Sequence, residues 1–100
     1  MLYYIHVTTA TGTLIWPSMT RSTGARIIKR ILPDAESVAV SVNGSSRHTV
    51  SYDPYFREWN VLKHANGRSL YYGPSYKTLS GALNKLDKLA ETEMQITSRG

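Results

Sequence analysis

Cysteine is absent from the 100-residue chain. Its absence excludes a disulfide framework, a zinc–thiolate centre, an iron–sulfur cluster and a thiol nucleophile. No segment approaches the roughly 18 apolar residues that cross a bilayer. The opening stretch MLYYIHVTTATG has neither the basic start nor the continuous apolar centre of a signal peptide. A cytoplasmic protein without a membrane partner is therefore expected. Linkers, repeats and low-complexity segments are also missing, and a chain of this length has room for one core only.

Acid is scarce as well. Seven Asp and Glu face twelve Lys and Arg, a formal net charge of +5 with a pI near 9.7. A basic balance favours polyanions or acidic partner surfaces and leaves the fold open. The charge comes in blocks. Residues 1–20 carry none, residues 21–32 carry +4 with no acid among them, residues 33–56 carry −2, residues 57–78 carry +3 and the remainder balances.

Period-two alternation marks the strands. In LYYIHVT, residues 2–8, Tyr3, Ile5 and Val7 share one side, and Tyr4 and His6 the other. TLIW, residues 13–16, reads as an optional hairpin return ended by Pro17. SVAVSVNG puts Val38, Val40 and Val42 together and ends in Asn43-Gly44, a strong hairpin signal because both residues tolerate positive φ. Three further strands follow in RHTVSYD, REWNVLKH and RSLYYG, with turns at Asp53-Pro54, Ala65-Asn66-Gly67 and Gly73-Pro74.

Two helices complete the pattern. Over residues 20–32, Thr20 or Ser22 serves as N-cap and Pro33 as the stop. Ala25, Ile27, Ile28, Ile31 and Leu32 cluster on one side, with Arg26, Lys29 and Arg30 on the other. From an N-cap at Thr78, the residues Leu79, Ala82, Leu83, Leu86, Leu89 and Ala90 form a second apolar stripe, which fades after about Glu93. The expected fold is α+β: an antiparallel sheet of about four or five strands with two amphipathic helices packed on one face, order β-α-β-β-β-β-α. Residues 1–93 make a single compact domain, and residues 94–100 a loose C-terminal tail.

The ionisable residues give little to catalysis. The acids fall mostly in turns, and Asp87 and Glu91 share what reads as the solvent side of the last helix. The three histidines are far apart in sequence and form no metal-ligand pair, so neither metal nor cofactor is expected. HVT at residues 6–8 resembles half of the paired His-x-Thr signature of two-histidine phosphoesterases, but a second motif is missing. Ser45, Ser46 and His48 lack an orienting acid and an oxyanion hole, so they read as a hairpin loop. TATGT and STGA lack the glycine pattern and lysine of a phosphate loop. The expectation is a protein that is not an enzyme.

Binding fits better. Arg21, Arg26, Lys29 and Arg30 suit a phosphate-contacting face, although late-helix cations also complement the helix dipole and aid solubility. The second block interleaves Lys63, Arg68 and Lys77 with aromatics, of which Trp59 and Tyr72 read as core and Tyr71, on the opposite face and next to Arg68, as a contact residue. Seven Tyr and two Trp against one Phe suit protein interfaces too.

The order helix, strands, helix is similar to that of double-stranded-RNA-binding domains, and GPSYKTLSGALNKL resembles the entry to their second helix. One lysine, Lys77, stands where that family has several, and an extra strand precedes the first helix, so the family is not assigned. The expected function is a small basic module contacting nucleic acid, DNA or RNA, through a positive helix face and aromatic-basic strands. The alternative is a protein-binding inhibitor, phage-encoded and directed at a host nucleoprotein defence complex, like the anti-CRISPR proteins.

Overall fold

Alternating valines and tyrosines generate the sheet as expected. The computed structural model describes residues 1–42 and 47–99. β1 (Tyr3–Thr9) and β2 (Gly12–Met19) form a hairpin, and α1 (Arg21–Ile31) leads through a 3-10 turn, Leu32–Asp34, into β3 (Ser37–Val42). Then come β4 (His48–Asp53), β5 (Glu58–Ala65), β6 (Arg68–Tyr71) and α2 (Leu79–Arg99). The strands make one sheet in the order β2-β1-β3-β4-β5-β6, antiparallel throughout. The Asn43-Gly44 hairpin signal lies outside the described residues.

The sheet has six strands rather than four or five because the optional return arm of the first hairpin forms, and Pro17 does not end it. β2 continues to Met19, with a register shift opposite Tyr3 to Ile5 and Ser18 at φ 52°. Proline is tolerated there because β2 is an edge strand, where a missing N–H leaves no partner carbonyl unsatisfied. Beyond the irregularity Met19 pairs with Tyr3 and turns into the core.

One face of the sheet is apolar and carries both helices. Tyr3, Ile5 and Val7 stand beside Val42, Val40 and Val38. Val50 and Val61 extend the row across the sheet, and Trp59 closes it. All join one cluster with Ile28 of α1 and Ala82, Leu83, Leu86 and Ala90 of α2. The caps fall where the sequence places them. Thr20 Oγ1 accepts from the Thr23 amide, and Thr78 Oγ1 accepts from the Gly81 amide at 3.2 Å.

The tail expected from residue 94 is instead helical, since α2 runs to Arg99. Good helix formers such as Met94, Gln95 and Arg99 sustain the backbone after the apolar stripe ends. Among the described residues no helix is long and apolar enough to cross a membrane.

Gly24 is buried where α1 packs on the first hairpin. A Cβ built there meets Ile5 Cδ1 and Met19 Sδ at 3.5 Å, an ordinary contact distance. Gly24→Ala is therefore expected to raise stability by about 0.5–1 kcal/mol, because it restricts the unfolded chain without a clash. A lower urea midpoint for the variant would mean that the helix sits closer to the sheet than described.

Candidate ligand-binding surfaces

Three of the four α1 cations stand clear of the protein. Arg26, Lys29 and Arg30 are exposed, on the side opposite the buried Gly24 and Ile28, and no ion pair engages them among the described residues. The absence of acid from Thr20 to Pro33 leaves their charge locally uncompensated. The half-buried Trp16 of β2 lies beside them. It lines a groove of ≈320 Å³ with Thr23, Arg26, Ile27, Arg30 and Ile31. The groove follows from the topology: α1 packs on β1, the penultimate strand, so β2 projects past the helix and shows its inner face.

Arg21 has a different task. Its Nη1 pairs with Asp87 Oδ2 at 3.0 Å, and its Nη2 donates to the Ser80 carbonyl and hydroxyl, each at 3.1 Å. The other oxygen of Asp87 accepts from the Tyr3 hydroxyl at 2.5 Å. β1, α1 and α2 thus meet in one polar cluster at the edge of the core. Burial, followed by the bond to Asp87, pushes the Tyr3 phenol up to about 12. The reading of Asp87 as a solvent-side residue is thereby corrected. It stands on the flank of α2 that faces α1, half-buried, while Glu91 one turn later is exposed. Arg21 is half-buried and already matched to a carboxylate, so it does not belong with the three open cations.

The second basic block lies at the other edge of the sheet. Lys63, Arg68 and Lys77 are exposed on and after β5 and β6. Five inter-strand steps of ~4.8 Å place β6 about 24 Å from β2. The structure therefore does not bring the two blocks into one patch. Nor does it set Arg68 beside Tyr71. Arg68 pairs with Ala65, on the helix side, whereas Tyr71 pairs with Leu62 on the open side.

That open face carries no Lys or Arg at its described strand positions, so it lacks the cations a base-stacking sheet surface needs. Of the two aromatics assigned to the core, Trp59 is buried. Tyr72 keeps 36% exposure, flanked edge-on by His48 and by the Lys85 ammonium at 5.4 Å from its ring centre.

Two further polar groups, His64 and Asp53, are structurally engaged. His64 Nε2 lies 2.8 Å from Thr49 Oγ1, and Nδ1 lies 2.8 Å from Ser69 Oγ, so both ring nitrogens are occupied across three strands. Asp53 accepts from the amides of Tyr55 and Phe56 and fixes the β4–β5 turn. Among the described residues no three His, Asp or Glu side chains converge on a point where a metal could sit.

That turn presents a second surface. Tyr55 and Phe56 are 85% and 67% exposed and pack edge to face. Tyr71, 74% exposed, lines a ≈220 Å³ hollow with Pro54, Asn60 and Leu62 on the open face. Two contributors to these surfaces were not singled out from sequence. Trp16 was obscured by Pro17, and Phe56 by its place in a turn.

No protein-family model, curated protein or solved structure matches the chain.

Proposed function

We propose that the protein is a non-catalytic module that binds nucleic acid through the outward side of α1. One observation carries this reading: Arg26, Lys29 and Arg30 project from a single helix face with no acid in the segment and no ion pair among the described residues. A merely solvated helix mixes both signs. Cations placed this way release condensed counterions when they meet phosphates, which makes the affinity fall steeply with salt. Arg21, tied to Asp87, holds the helix in place rather than contacting the ligand. Lys63, Arg68 and Lys77, at the far edge, lie beyond a Debye length of ~8–10 Å and add little to this contact.

The test is fluorescence anisotropy of labelled oligonucleotides between about 50 and 200 mM salt. Replacing Arg26, Lys29 and Arg30 with Ala is expected to weaken binding and reduce the log–log salt slope by about two to three, at 0.7–0.9 per phosphate contact. The fold should survive, since all three side chains are exposed. Absence of binding by the parent protein at low salt would overturn the reading.

A protein-directed role rests on a different observation, the exposed aromatics Tyr55 and Phe56 on the β4–β5 turn and Tyr71 on β6. Large aromatics beside a hollow are the usual anchors of protein interfaces. Binding of that kind would respond weakly to salt and would be lost on changing Phe56 or Tyr71 rather than the α1 cations. An inhibitor of a nucleoprotein complex belongs to this second reading.

A further inference from the structure

We propose that the groove between β2 and α1 receives an unpaired base, so that the preferred ligand is a single strand rather than a duplex. The inference rests on the nucleic-acid reading and names the form of the ligand.

Phosphate contacts alone need only the exposed helix. The groove adds something they do not use, an apolar floor directly beneath the cations. Trp16, Ile27 and Ile31 make that floor, and Arg26 and Arg30, one turn apart, line it as well. At ≈320 Å³ it lies at the lower end of small-molecule sites, roughly 300–1,000 Å³. Leu14 continues the apolar surface along β2. It pairs with Val7 as Trp16 pairs with Ile5, so both point to the helix side, and Leu14 is half exposed.

A duplex keeps its bases stacked inside and would meet only the arginines. A single strand can lay its phosphates on Arg26, Lys29 and Arg30 and turn a base onto the indole, with the guanidinium groups available to stack as well. No acidic residue lines the groove, and none occurs in residues 1–20, which include β1 and β2. The α1 wall is therefore complementary to an anionic strand, and the β2 wall is uncharged. Stacking of this kind is sequence-tolerant, because every base presents a π-face.

The two tryptophans make the test direct. Trp59 is 4% exposed, whereas Trp16 lines the groove. Quenching of tryptophan emission by a bound strand therefore reports on Trp16. The protein is titrated with an oligothymidine strand and with a hairpin duplex of equal phosphate number at one salt concentration, following anisotropy and emission together.

The expected result is tighter binding of the single strand with quenching, and little quenching by the duplex. Trp16→Leu keeps the site filled and apolar but removes the ring. It should lower single-strand affinity by roughly 5- to 150-fold, the equivalent of one lost stacking contact, and leave duplex affinity nearly unchanged. Wild-type quenching and strand preference stand as evidence even if that variant folds poorly. Equal binding of strand and duplex without quenching would overturn this inference while leaving the phosphate-binding helix intact. No binding of either at low salt would remove the helix reading and this inference together. A nucleoside monophosphate matching the strand in affinity and quenching would make the occupant a free nucleotide and overturn the strand assignment.

Discussion

Leu86→Ala is expected to lower the free energy of unfolding by about 2–5 kcal/mol. The side chain is 1% exposed and belongs to the α2 stripe that packs over β3, β4 and β5. Removing three buried carbons costs their transfer from water. It also leaves a void that rigid neighbours cannot close. The cluster it belongs to is rich in β-branched Val and Ile with restricted χ1 rotamers, so little relaxation is available and the upper half of the range is expected. Urea unfolding monitored by Trp59, which lies in the same cluster, measures the change. Lys88→Ala is the control: its side chain is exposed on the same helix, and a shift within about 0.5 kcal/mol is expected. A loss below about 1 kcal/mol for Leu86→Ala would show that α2 is not docked as described.

The second large effect is alkaline. Tyr3 is raised from 10.0 to about 12 in the folded protein. Between those values the folded state holds a proton that the unfolded state has released, so stability falls as pH rises. The contribution is fully present below pH 10, is about 2 kcal/mol smaller at pH 11.5, and is gone above about pH 12. Other tyrosines and lysines titrate in the same window, so the measurement needs Tyr3→Phe beside the parent. The phenylalanine keeps the ring in the core and leaves Asp87 paired with Arg21, but it has nothing to titrate. Urea midpoints at pH 9 and 11.5 should show the parent losing about 2 kcal/mol more than the variant. Equal losses would mean that the phenol is neither buried nor held by Asp87 in solution.

Most of the fold was legible in the sequence because local pattern and burial agree. Every valine of SVAVSV alternates to the apolar face, and Leu79 to Ala90 recur at helical spacing against it. β2 was cut short because Pro17 reads as a strand end. Only the knowledge that β2 lies at an edge makes that proline acceptable, and sequence position does not reveal an edge. The surfaces were legible by half. Arg26, Lys29 and Arg30 could be grouped by helical angle, since one helix defines their relation. Arg21 and Asp87 could not be matched, because their pairing depends on how two helices 66 positions apart lie side by side. The same limit hid the distance between the two basic blocks, and it separated Arg68 from Tyr71, whose faces follow from strand register alone.

The bond between Tyr3 and Asp87, 84 positions apart, also bears on how the molecule is made. During synthesis the β1–β2 hairpin, α1 and β3 emerge first and can associate by contacts that are near in sequence. The apolar face built by Val38, Val40, Val50 and Val61 then waits for α2, which follows all six strands. A nascent chain that stalls before Leu79 holds a sheet with half its cover, a surface prone to stick to other chains. Emergence of α2 supplies that cover, and its Asp87 ties the helix back to β1.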